Sequence, residues 1–350
     1  MMSNNQINSK NISFSNTNNL LQEFSQIIQN FNVNKINIKE IEPTTKNIND
    51  CIFEGDLNVV IDEIINLIFN ELNKGEDADI IKKLVLDYIN NQMTTLQEIY
   101  IWLLNNQNNS NSLCLLGYFN YHGLEIELDE QKAIELYHKA SELENRVAQI
   151  NLANEHLYGK EINKNHNLAF KLSNKLAEEE YACGFNNLGF CYLNGIGTDF
   201  NDEKAFELYQ KAADLGNFKG TINLGWCYYE GVGTDICEEK TFELYQKAAE
   251  LGSLNGIFCL GWCYNEGIGT EVNEQKALEL YQKAATLGSD IAQYDLAAMY
   301  EIGEGIKQDI DQAIYWYKKS AASGNQSAQE KLEELLKVGI DDTLHSKIIL

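Results

Sequence analysis

The sequence is poor in basic residues, in long apolar runs and in the spacings that mark chemistry, and each shortage excludes something. Its 350 residues hold 27 Lys plus Arg against 52 Asp plus Glu, a formal net charge of -25. Nucleic-acid binding needs a basic footprint to neutralise phosphates, so that class is excluded. The same charge disfavours anionic membrane surfaces and favours solubility and basic partners. No stretch approaches the roughly 20 apolar residues of a spanning helix. The most apolar run, 59–69, is broken by Asp62, Glu63 and Asn66. Residues 1–10 are polar and lack the apolar core of a secretory signal. The expectation is a soluble, cytoplasmic protein whose eight cysteines are reduced, small apolar residues.

Chemistry-bearing patterns are equally scarce. Zinc sites bring Cys-x-x-Cys pairs or His partners, and neither is present. Cys191, Cys227 and Cys263 share one position 36 residues apart and read as packing residues. Gly195-Ile196-Gly197-Thr198 and its copies at Gly231 and Gly267 follow a helical pattern rather than a strand and lack a phosphate loop's remaining residues. None of His122, His138, His156, His166 and His345 lies in a metalloprotease helix or near a nucleophile turn. No nucleophile, base and orienter can be named together. The expectation is no catalytic residue, no cofactor and no metal.

What is present is periodicity. Residues 1–50 are rich in Asn and Ser, hold the single proline, Pro43, and read as a disordered tail. Residues 51–110 read as an N-terminal helical module, with Ile61, Ile64, Ile65, Ile68 and Leu72 at spacings of three and four. Two further helices follow around Ile81–Tyr88 and Leu96–Leu103, parted by Gly75 and Asn90-Asn91. The three are expected to stack on the first repeat. Residues 111–325 then carry three series of period 36. They are Gly117, Ala153, Gly189, Gly225, Gly261, Ala297; Gly123, Gly159, Gly195, Gly231, Gly267, Gly303; and Ala133, Ala169, Ala205, Thr241, Ala277, Ala313. Three series with one period mean six stacked helix pairs. In the unit around Gly189, Gly195 ends the first helix, Asn201 caps the second, and Gly189 and Ala212 are small where two backbones approach. Residues 326–350 repeat only a first helix and read as a polar capping helix and tail.

The unit Leu188-Gly189-x-x-Tyr192-x-x-Gly195-x-Gly197, followed by Lys204-Ala205-x-x-Leu208-Tyr209-x-Lys211-Ala212-Ala213-x-x-Gly216, resembles the Sel1-like repeat of the tetratricopeptide class. The first two units depart from it: Asn120 and His156 replace the packing tyrosine, Glu125 and Glu161 the second loop glycine, and Ser173 the second-helix tyrosine. The resemblance implies an all-α, right-handed α-solenoid of helix-turn-helix repeats. Its implied function is a non-enzymatic scaffold or adaptor for protein partners in intracellular signalling, with the first helices lining a concave groove. A regulatory subunit or companion of a kinase-like protein is one alternative. No kinase motif occurs in this chain. An enzyme with an unrecognised helical active site is the alternative from another class.

On the first helices, positions not used for packing form a stripe for an extended or helical peptide segment. It comprises Tyr118, Tyr121, Asn154, Asn186, Phe190, Leu193, Ile222, Trp226, Tyr229, Phe258, Trp262, Asn265 and Tyr294. Phe190, Trp226 and Trp262 are expected to stack as a ladder. The competing reading places these aromatics in the core.

Overall fold

The structure, a computed structural model, describes residues 42–92, 94–159, 164–303 and 305–335, with side chains from 57 onward. Two compact units divide the chain, Met1–Asp56 and Leu57–Leu350. Of the first, residues 42–56 are described and are helical. The expected disordered tail therefore lies outside the described residues as far as residue 41, as do residues 336–350 of the expected C-terminal tail.

Within the second unit every described regular element is a helix. Helix α1 (Glu42–Lys74) contributes its part from Leu57, and α2 (Ala78–Asn90) and α3 (Leu96–Asn105) complete the module. Ile61, Ile64, Ile65 and Ile68 are buried together with Ile81, Val85, Ile89, Ile99 and Leu103. The same cluster runs on into Leu113, Leu116, Phe119, Ala133 and Leu136, so the module and the first repeat share one core. A capping box starts α3: Thr95 accepts from the Glu98 backbone N–H while the Glu98 carboxylate accepts from the Thr95 N–H.

Six helix pairs follow: α4 (Ser110–His122) with α5 (Glu130–Glu142), α6 (Arg146–Tyr158) with α7 (His166–Glu178), α8 (Ala182–Asn194) with α9 (Asp202–Asp214), α10 (Phe218–Glu230) with α11 (Glu238–Glu250), α12 (Leu254–Glu266) with α13 (Glu274–Thr286), and α14 (Asp290–Ile302) with α15 (Ile310–Ala322). A last helix, 326–335, lays Ala328, Leu332 and Leu335 on Ala297, Ala313 and Tyr317. Gly195, Gly231, Gly267 and Gly303 end their first helices at φ between 65° and 80°, a conformation that costs glycine nothing. Gly159 departs from the series, with φ -68° and ψ -176°. Asn201 caps α9 as expected, accepting from the Lys204 N–H at 2.8 Å.

The reason for the small residues is wider than the sequence expectation. A Cβ on Gly117, Gly189, Gly225 or Gly261 would lie 2.6 to 2.9 Å from the ring of Tyr137, Tyr209, Tyr245 or Tyr281. The glycine is therefore a seat for the second-helix tyrosine of its own unit, and at Gly117 and Gly189 the second-helix backbone approaches as well, the Ala133 or Ala205 carbonyl oxygen lying 3.3 Å from such a Cβ. Close approach occurs between units too: a Cβ on Gly220 would lie 2.5 Å from the Ala212 Cβ, and one on Gly256 would lie 2.7 Å from the Ala248 Cβ.

The packing tyrosine binds three elements. Tyr192, Tyr228 and Tyr264 meet Phe170, Phe206 and Phe242 of the preceding unit edge to face, with centroids 5.3 to 5.9 Å apart. Lys204, Lys240 and Lys276 of their own second helices lie 4.5 to 4.8 Å over the same rings. The second loop glycine reaches backwards too: a Cβ on Gly197 would meet the His166 carbonyl oxygen at 2.5 Å and the Phe170 Cβ at 2.7 Å. In the first unit Glu125 stands at that position, exposed and at φ 62°. Cys191, Cys227 and Cys263 are wholly buried, and burial pushes their thiols up to about 12.

Adding one methyl where units touch tests this account. Gly220→Ala is expected to lower stability by about 1–3 kcal/mol through overpacking against Ala212, read as a fall in the thermal midpoint followed by circular dichroism.

Candidate functional site: the inner face of the repeats

First helices of neighbouring units touch one another, α6 with α8, α8 with α10 and α10 with α12, which makes them the inner layer of the stack. The 36-residue period then sets side chains of that layer in columns. One column reads Tyr118, Asn154, Phe190, Trp226, Trp262; a neighbouring one reads Asn151, Asn187, Asn223, Cys259, Asp295.

The α1–α2 turn lies on this face. Asn217 donates from Nδ2 to the Asn73 carbonyl oxygen at 2.9 Å, and the Cys183 N–H donates to Asn73 Oδ1 at 3.2 Å. Asp77 lies 3.7 Å from Lys219 and accepts from Asn255 Nδ2 at 3.4 Å. Phe69 meets Tyr181 edge to face at 5.1 Å, and Lys82 donates to the His122 carbonyl oxygen at 3.0 Å. Gly75 makes the turn at φ 79°, where a Cβ would sit 2.8 Å from Asn217 Oδ1. The module thus stacks on the first repeat and also reaches across the inner face to the start of the fifth. The expectation of stacking on the first repeat alone is corrected, because the turn finds its polar partners on α8, α10 and α12.

Beneath the turn is a cavity of about 260 Å³. Four of the expected groove residues, Tyr118, Tyr121, Asn154 and Asn186, line it together with Asn151, Asn187, His122 and Glu155. Its wall carries an amide relay: Asn223 donates to Asn186 at 2.9 Å, Asn186 to Asn187 at 3.2 Å, and Asn187 to Asn154 at 2.8 Å. Burial, with the Lys82 ammonium second, pushes His122 down to about 4. Burial pushes the Cys183 thiol up to about 12 and raises the Tyr118 hydroxyl well above its usual range. Near neutral pH the imidazole is therefore uncharged and the thiol protonated.

The remaining stripe residues lie farther along. Phe190 packs on Tyr158 at 4.8 Å and on the Leu157, Ala169 and Cys191 cluster. Leu193 packs beside Ala205, Tyr209 and Leu224. Ile222 and Trp262 pack against Tyr245, Leu260 and Cys263. Tyr229 meets Trp262 edge to face at 5.0 Å, Phe258 meets Tyr281 at 5.5 Å, and Tyr294 meets Tyr317 at 5.5 Å. Asn265 donates to Glu266 at 3.0 Å. Trp226 is 37% exposed. The aromatic column is thus joined through tyrosines, Tyr158 to Phe190 and Tyr229 to Trp262.

Two features escaped the sequence reading. The asparagine column was signalled by the spacing of Asn151, Asn187 and Asn223. Asp295, at its far end, carried no signal of its own, although burial raises its carboxyl to about 6. Among the described residues no group of three or more His, Cys, Asp or Glu is arranged to hold a metal ion, and no helix is long and apolar enough to cross a membrane.

A Sel1 repeat family model matches residues 110–145, 146–181, 186–217, 219–253, 258–289 and 290–325. No curated protein matches the chain. Among solved structures, a Sel1 repeat protein from Oxalobacter formigenes is similar at 26% identity and a TM-score of 0.53, covering 69% of this chain and 92% of its own. The protein c5321, a protective antigen present in uropathogenic Escherichia coli strains and displaying an SLR fold, is 28% identical with a TM-score of 0.49. That match covers 71% of this chain and 52% of the antigen, so this chain spans about half of its length. The immunity protein Pa5087 from Pseudomonas aeruginosa is 24% identical with a TM-score of 0.42, covering 52% of this chain and 67% of its own.

Asp295 supplies a test of the electrostatics. Burial raises its carboxyl to about 6, so the folded state holds the proton more tightly than the unfolded chain. Stability is therefore lost as pH rises from about 4 to 6 and stays lowered above that. Asp295→Asn is expected to raise stability at pH 7.5 by on the order of 1–3 kcal/mol, seen as a higher thermal midpoint, and to leave it unchanged below about pH 4. Thermal melts of both proteins across this range check it.

Proposed function

Because the chain belongs to the Sel1 repeat family, whose members commonly serve as protein–protein interaction scaffolds, we propose that it is a non-enzymatic scaffold that binds a partner protein along the open end of its inner face. An adaptor role in intracellular signalling is the finer form of this reading. The observation that carries it is the division of the inner face. The α1–α2 turn covers the starts of α8, α10 and α12, and nearer the end of α10 Trp226 stands 37% exposed, in one column with Trp262. The binding stripe is accordingly Ile222, Trp226, Tyr229, Phe258, Trp262, Asn265 and Tyr294, with Phe190 and Leu193 at its inner end. Tyr118, Tyr121, Asn154 and Asn186 shape the covered end.

Large aromatic rings in a partly dry groove are the usual anchors of an interface. Each first helix also has a separate packing set of Leu, Gly and Tyr, and Trp226 is the stripe ring left most open, whereas Trp262, Phe258 and Tyr294 also pack on core residues. The protonated thiols and neutral imidazole supply no activated nucleophile, in keeping with binding rather than turnover.

A proximity-labelling or pull-down comparison of wild type with the Trp226→Ala/Trp262→Ala double variant tests the reading. Each substitution is expected to weaken a defined partner by about 2 kcal/mol or more, with the helical signal and melting cooperativity retained. An unchanged partner set, or loss of folding without a specific loss of binding, would overturn it.

A further inference from the structure

Charge is sorted between the two helix layers. The second helices each carry two lysines, as Lys204 and Lys211, Lys240 and Lys247, and Lys276 and Lys283 illustrate. The first helices of the last three units carry Glu230, Glu266, Asp290, Asp295 and Glu301 against one cation, Lys219. That lysine already faces Asp77 of the α1–α2 turn. The open end of the inner face is therefore aromatic and acidic, while the second helices mix their lysines with acids such as Glu243 and Glu279.

The columns show the same gradient along the stack. Asn151, Asn187 and Asn223 give way to Asp295, and Leu157, Leu193, Tyr229 and Asn265 give way to Glu301. Glu266 is exposed and Asp295 half-buried, on neighbouring first helices; after burial, their charges add to raising the Tyr281 hydroxyl. Glu301 shows what this end of the face accepts. It takes the Tyr317 hydroxyl at 2.7 Å, and Lys331 of the last helix lies 3.7 Å from it.

We propose that the open end of the inner face docks a basic segment of a partner protein, whose lysine or arginine heads are received by Glu266 and Asp295 while its apolar side chains lie on the Trp226 and Trp262 rings. This rests on the reading of that face as the partner-binding surface and adds the chemistry of the partner. Charge complementarity selects the occupant: a cation entering this end meets carboxylates and ring faces, whereas an acidic segment meets like charge.

Fluorescence anisotropy with the purified full chain tests it, using a labelled peptide of alternating lysine and leucine and its glutamate–leucine counterpart. Glu266→Gln/Asp295→Asn is compared with Glu243→Gln/Glu279→Gln, which removes the same charge from the second helices. The lysine peptide is expected to bind and the glutamate peptide not to. The inner pair is expected to weaken binding about tenfold and the outer pair by less than about twofold. Equal losses from both pairs would mean attraction to the bulk charge of the chain and would overturn the proposal, as would absence of binding. Capture of the same partner set by the Glu266→Gln/Asp295→Asn variant, with that set lost in the Trp226→Ala/Trp262→Ala variant, would overturn the basic segment and leave the binding face standing. Loss of the set in neither would remove the face itself.

Discussion

Four of the six repeats are held by a tyrosine ring lying on a glycine. Tyr209, Tyr245 and Tyr281 occupy the space that a side chain on Gly189, Gly225 or Gly261 would fill, and this contact fixes how the two helices of a unit lean on each other. The lean brings the next first helix against the alanines, where Gly220 and Gly256 leave no room for another methyl. The contact between Tyr192 and Phe170, with Lys204 over the ring, then ties a unit to the one before it. Stability in such an array is close to a sum of unit and neighbour terms, so the identical small contacts propagate along the stack.

Regular stacking leaves the inner layer with side chains that the core does not need, and the molecule uses them in two ways. Over the early repeats they are covered by the α1–α2 turn and joined into an amide relay through Asn154, Asn187, Asn186 and Asn223. Asparagine suits that position because its amide both donates and accepts, so each member satisfies its neighbour out of water. Beyond the turn the columns become aromatic and then acidic. A buried relay and an exposed, charged end arise from one repeated position occupied by different residues.

The division also bears on the length of partner the face can take. The turn is anchored by buried isoleucines that share the core of the first repeat and by polar contacts out to Asn255. It is a wall of the molecule along the starts of α8, α10 and α12, which leaves the proposed partner the rest of those helices and α14. The acidic residues there are held at some cost, as the raised Asp295 carboxyl indicates.

The period, the helix pairs and the capping residues were all legible in the sequence, because each depends on spacing along one chain. Gly195 at a helix end and Asn201 at a helix start carry their own backbone chemistry and need no distant partner. What lay beyond the sequence depended on contacts between residues far apart in it. Asn73 and Asp77 are undistinguished turn residues until Cys183, Asn217, Lys219 and Asn255 meet them. That Gly189 seats the Tyr209 ring as well as the approaching second helix depends on a residue twenty positions away. The sequence by itself determined an α-solenoid of six units and which side chains could face its inner layer. Only the tertiary structure decided which of those are covered and which are open, because that depends on where a separate hairpin comes to rest and no periodicity encodes it.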